Sequence, residues 1–123
     1  MPSLFNLPRR PIRILAVFCV LSVAVLSLTP QIGVPSSAPP KTDLVLHLLM
    51  HGPMAGLMAL GWPRHLLAVL VTVLGLAIGF EAAQHVIPGR SFSPADMAMN
   101  LIGGALGLTL GRWLSALALR RSD

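Results

Sequence analysis

Apolar residues fall into four runs along the chain, separated by short stretches rich in proline, glycine and charge. Crossing a bilayer takes roughly 20 mostly apolar residues in a helix that rises about 1.5 Å per residue. On that measure the pattern predicts transmembrane helices over about 12–28, 43–60, 66–87 and 96–119. The intervening segments cannot propagate a helix. Residues 29–40 hold Pro30, Pro35, Pro39 and Pro40 together with Gly33, Ser36 and Ser37, and read as an exposed loop. Residues 61–65 form a tight turn whose Trp62 suits a membrane interface. In the third connection Ser93-Pro94 ahead of Asp96 suits a helix start with proline in the first turn. Within the second run Pro53 removes a backbone donor, frees the Leu49 carbonyl and is expected to kink the helix.

The first run, with Arg9 and Arg10 ahead of it, also has the layout of a signal peptide. Its nearest small-x-small site, Ser36-Ser37-Ala38, lies well beyond the apolar stretch and is followed by Pro39, so a retained helix is expected.

Composition agrees with the pattern. Of 123 residues, 54% are hydrophobic and 11% charged, which excludes an ordinary soluble domain and leaves room for one membrane domain spanning 1–123. The net charge of +5 would suggest nucleic acid in a soluble protein, but the basic residues form no patch and do not interleave with aromatics, so no nucleic-acid partner is expected. They report topology instead. Arg9, Arg10, Arg13, Arg64, Arg112, Arg120 and Arg121 fall on one side, against Lys41 and Arg90 on the other. The positive-inside tendency then makes both termini cytoplasmic and turns the two proline-rich loops outward. The fold expected is all-α: a four-helix bundle in a bacterial cytoplasmic (inner) membrane, multi-pass. The single cysteine, Cys19, reads as a small packing residue.

The polar residues that remain gather at one depth. Asp43 opens the second helix with His47 one turn deeper, Asp96 and Asn100 repeat that spacing in the fourth, and Glu81 and Gln84 occupy the last turns of the third. All lie between the outer interface and roughly 10 Å inward. A charged group in the bilayer costs about 2.5–3.5 kcal/mol on insertion scales, so Glu81 is expected to face the bundle and find a partner, with Arg90 the candidate for Glu81 or Asp96. Glycines at four-residue spacing (Gly52 and Gly56; Gly75 and Gly79; Gly103, Gly107 and Gly111) mark faces where helices two, three and four can approach closely. Helix one has no such stripe and is expected to be peripheral.

The order Asp43-x-x-x-His47, Glu81-x-x-Gln84, Pro88-Gly89-Arg90-Ser91-Phe92-Ser93, Asp96-x-x-x-Asn100 and Gly103-Gly104 resembles the VanZ-like membrane proteins, a family named for a protein associated with teicoplanin resistance. The likeness covers helices two to four; helix one agrees only in length and hydrophobicity. Two positions depart from the family pattern: Leu44 stands where a lysine commonly follows the first Asp, and His51 stands where an aromatic is frequent. Lys41 is the nearest substitute for that lysine.

Together these features imply action on the cell envelope at the outer leaflet, by binding or modifying an amphiphilic or lipid-linked envelope component, with glycopeptide susceptibility (antibiotic resistance) as a readout. The expected ligand-binding residues are Asp43, His47, Glu81, Gln84, Arg90, Asp96 and Asn100. Arg90 would engage a phosphate or carboxylate through its planar fork, while Glu81, His47 and Asp96 are the candidates for proton handling, with no catalytic role assigned. The expected partner is a membrane lipid or lipid-linked precursor, with a homo-oligomer open. Two alternatives stand beside this reading. One is a structural protein whose polar network only fixes helix packing. The other is a metal-dependent membrane enzyme; no cofactor is expected, but His47 and His51 share a helix face at i and i+4 and, with Glu81, are the candidate zinc ligands. His65 and His85 read as interface residues, and His51 as a donor to carbonyls loosened beside Pro53.

Overall fold

A computed structural model describes residues 8–29, 36–89 and 93–120 of the chain. Among them are four helices and no strand: α1 (Arg9–Leu28), α2 (Thr42–Gly61), α3 (Leu66–Gln84) and α4 (Pro94–Arg120). All four are long and apolar enough to cross a membrane. Residues 30–35 of the first proline-rich loop, Arg90, Ser91 and Phe92 of the third connection, and Arg121 lie outside the described residues. Large apolar side chains point outward along every helix, including Phe18, Val71, Leu106 and Leu67, the last 74% exposed. That distribution suits hydrocarbon as the solvent and would be a liability in water.

The chain runs up and down, and the most intimate contact is between α2 and α4, which are not neighbours in sequence. These two helices run in the same direction, with Gly103 against Leu48, Gly107 against Gly52 and Gly56, and Gly111 against Gly56 and Ala59. A Cβ at Gly103 would lie 2.6 Å from the Leu48 carbonyl oxygen, and one at Gly111 2.5 Å from that of Gly56, so the absence of side chains on α4 lets the two backbones touch. The glycine stripes of α2 and α4 therefore do what their spacing suggests. The pair on α3 does not: a Cβ at Gly75 or Gly79 would meet nothing within 4 Å, and both are exposed. Four-residue spacing makes a smooth face, but nothing in the spacing brings a partner to it.

Helix α3 packs on α4 and α2, while α1 packs on α2 and α3 but not on α4, the peripheral place expected of a helix without small residues on one face. The apolar interior is built from Ala16 and Val23 of α1, Met54, Ala55 and Met58 of α2, and Val69 and Val73 of α3. Helix α2 continues unbroken through Pro53.

Both ends of the bundle are tied by polar contacts. At one end the Arg13 Nε donates to the Gly61 carbonyl at 2.8 Å, satisfying a backbone acceptor at the C-terminus of α2, and its guanidinium lies 5.4 Å from the centre of the Trp62 ring. At the other end the Gln84 Nε2 donates to the Ser27 carbonyl at 2.9 Å, joining the ends of α3 and α1. The two ends thus differ in kind. Arg9, Arg10, Arg13, Arg64 and Arg112 belong to the Trp62 end, and Asp43, His47, Glu81, Gln84, Asp96 and Asn100 belong to the other.

Candidate functional site

The site is assembled where α2 and α4 begin and α3 ends. Helix α4 starts at Pro94, whose fixed φ and missing N–H suit a first helical position. Ser93 precedes it as the cap: its hydroxyl accepts from the Asp96 N–H at 3.3 Å and its carbonyl accepts from the Met97 N–H at 3.1 Å. This fixes Asp96 in the first turn, near the positive end of the helix dipole, and Asn100 one turn deeper. The preceding connection turns at Pro88-Gly89, where Gly89 has φ 81°, a left-handed conformation that a residue with a Cβ adopts only at a cost.

Four polar side chains converge here. His47 of α2 shares a hydrogen bond of 2.8 Å between its Nδ1 and the Asn100 Oδ1. Asn100, 1% exposed, also donates from Nδ2 to the Ala77 carbonyl of α3 at 3.3 Å, so a single amide ties three helices together. Its nitrogen is committed to Ala77, which leaves the oxygen to face His47 and makes Nδ1 the donor. The other ring nitrogen, Nε2, lies 3.6 Å from the Asp96 Oδ2. Glu81 of α3 is fully buried, and its Oε1 accepts from the Ser93 backbone N–H at 2.7 Å, a charge-assisted contact at the start of α4. One nitrogen or oxygen atom from each of His47, Glu81 and Asp96 lies within 4.8 Å of those from the other two. The cluster sits roughly 3–9 Å along the helices from their near ends.

The remaining sequence candidates are distributed differently. Asp43, one turn before His47, is exposed at the rim and makes no hydrogen bond or ion pair among the described residues; its place in the first turn of α2 favours the helix dipole instead. Gln84 is buried but turned toward α1 through Ser27. Arg90 lies outside the described residues. His51 is fully buried, with its Nδ1 3.2 Å from the His47 carbonyl, and it does not join the His47–Glu81–Asp96 group. The carbonyl it engages is that of His47 in its own helix, not the Leu49 carbonyl freed by Pro53. Its ring also meets the edge of Phe80 at 6.3 Å between centroids. His85 is exposed just beyond α3, and His65 is exposed at the opposite end. Lys41 precedes α2 in a left-handed conformation (φ 64°), exposed.

Three contributors are backbone groups, the carbonyls of Ser27 and Ala77 and the N–H of Ser93. Backbone groups carry no residue-type signal, so the two carbonyls had no mark in the sequence, and Ser93 was indicated only as a helix cap. The pairing of His47 with Asn100 across 53 positions likewise follows from the glycine contact of α2 with α4 and from nothing local.

Comparison with known proteins bears on the whole assembly. No curated protein and no solved structure matches the chain. The model of the VanZ/LLP1 family matches residues 10–115, which takes in all of α1 but its first residue, the whole of α2 and α3 and most of α4, with every residue of the polar cluster. With that match across the greater part of its length, this multi-pass membrane protein belongs to the VanZ/LLP1 family.

Proposed function

We propose that the protein binds an amphiphilic or lipid-linked component of the cell envelope at the outer leaflet of a bacterial cytoplasmic membrane, holding the polar head at His47, Glu81, Asp96 and Asn100. One observation carries this reading: side chains from three different helices converge in a single polar cluster at one end of an otherwise apolar bundle. A network that only fixed helix register would need fewer ionisable groups. Each carboxylate placed in the bilayer costs about 2.5–3.5 kcal/mol, and the seam between α2 and α4 is already specified by its glycines. The orientation is supported by the positive-inside tendency, since Arg9, Arg10, Arg13, Arg64 and Arg112 belong to the other end. Family membership supports an envelope role and makes glycopeptide (teicoplanin) susceptibility a relevant phenotype. Arg90, next in sequence to the turn at Gly89, supplies a cation suited to a phosphate or carboxylate head.

The test is binding of polyprenyl-phosphate and bulk phospholipid by the full chain in nanodiscs, read by native mass spectrometry, together with glycopeptide susceptibility of cells. Arg90→Ala is expected to weaken retention of the anionic lipid and Glu81→Gln to alter it, in neither case unfolding the bundle. Unchanged lipid binding and unchanged susceptibility in both variants would overturn the proposal.

A further inference from the structure

The donor set at the centre of the cluster is that of a metal site. His47, Glu81 and Asp96 each offer one potential ligand atom, all three atoms lie within 4.8 Å of one another, and the first two residues are buried. They come from α2, α3 and α4, so the grouping is not a by-product of one helix's periodicity.

Three features favour a cation over a purely internal polar network. The first is the orientation of His47. With Nδ1 held by Asn100 at 2.8 Å, Nε2 is the ring nitrogen left to face the Asp96 Oδ2, and at 3.6 Å the two stand further apart than a hydrogen bond. The second is spacing. With bonds of about 2.0–2.2 Å, adjacent ligands around tetrahedral zinc lie about 3.3–3.6 Å apart, so 3.6 Å matches and the 4.8 Å limit is within side-chain adjustment. The third is the outer shell. Metal-bound histidines donate their second N–H and metal-bound carboxylates are themselves hydrogen-bonded; here the Asn100 Oδ1 accepts from the His47 Nδ1 and the Ser93 N–H donates to Glu81. The Asp96 Oδ1 is also buried with no hydrogen-bond partner among the described residues.

We propose that His47, Glu81 and Asp96 bind a divalent transition-metal ion, with Zn²⁺ the best match to one imidazole and two carboxylates that leave a fourth position open. The set differs from the one expected from helical spacing, because Asp96 takes the place of His51. The site stands without the lipid reading; occupation of the open position by an oxygen of an anionic headgroup rests on it, and would place the metal as a Lewis acid on that oxygen.

The test uses the full-length protein purified in detergent, stripped with chelator, desalted and titrated with Zn²⁺ alone, with stoichiometry read by elemental analysis and affinity by competition with a chromophoric chelator. The wild type is expected to retain one Zn²⁺ per chain. Asn100→Ala is expected to weaken binding by roughly 10–100-fold, and His47→Ala and Asp96→Asn by more than that, while His65→Ala at the opposite end leaves it unchanged. Wild-type protein that holds no stoichiometric Zn²⁺ overturns the proposal whatever the variants do, and so does stoichiometric binding undiminished in both His47→Ala and Asp96→Asn. Lipid retention measured with and without chelator separates the two readings. Retention by a protein that binds no Zn²⁺ sinks the metal site and leaves the lipid site standing; Zn²⁺ bound without lipid retention does the reverse.

Discussion

Adding a single methyl group at Gly107 should damage both the fold and the polar cluster. A Cβ at that position would meet backbone on every near side: the Gly52 carbonyl oxygen, its carbonyl carbon at 2.8 Å and its Cα at 3.0 Å. Ordinary contact begins near 3.4 Å, and neither backbone has a flexible side chain that can move aside, so α2 and α4 must separate by something on the order of 1 Å. Overpacking of this kind costs about 1–3 kcal/mol. The same separation acts on the His47–Asn100 hydrogen bond, which joins the same two helices at 2.8 Å and would stretch past the usual limit, adding about 1 kcal/mol. Gly107→Ala is therefore expected to lose about 2–4 kcal/mol, measured by SDS-induced unfolding of the purified protein. The control is Gly79→Ala, where a Cβ would meet nothing within 4 Å and the substitution should be neutral or stabilising by about 0.5–1 kcal/mol through helix propensity. Equal effects at the two positions, or a Gly107→Ala variant as stable as wild type, would refute the argument that backbone contact along the α2–α4 seam sets the site.

Gln84→Leu keeps bulk but removes the donor to the Ser27 carbonyl, leaving a buried acceptor unpaired; a loss of about 1–3 kcal/mol is expected, with faster hydrogen exchange at the last turn of α1 and unchanged exchange around Asn100. Ser93→Ala removes the hydroxyl that accepts from the Asp96 N–H and should cost about 1 kcal/mol in thermal unfolding, while the contact of Glu81 with the Ser93 backbone N–H survives because it does not involve the side chain.

The cluster also explains why a near-neutral alternative at some positions would be uninformative. Asn100 satisfies His47 and Ala77 at once, so its removal exposes two unmatched groups from different helices, and any loss of ligand binding in an Asn100 variant mixes chemistry with architecture. Asp96→Asn and Glu81→Gln preserve shape and are the cleaner probes of charge.

Hydrophobic runs and their proline-rich breaks determined by themselves that the chain is all-helical with four membrane-length segments, because in hydrocarbon every backbone polar group must be satisfied within its own helix. They also determined the end of the bundle at which the polar residues lie, since that needs only the order of helices and the position of each residue along its own. Which side chains meet was decided by tertiary structure. Asp43 and His47 differ by only about 40° around α2, yet one is exposed at the rim and the other buried against α4. His51 shares a face with His47 but ends on its own helix backbone one turn deeper, while Asp96, from the far end of the sequence, comes to 3.6 Å from the His47 ring. Gly75 and Gly79 have the same spacing as Gly103 and Gly107, but only the latter meet another backbone. Periodicity fixes direction around one axis; contact depends on which second axis lies there, and that is set by packing of all four helices together.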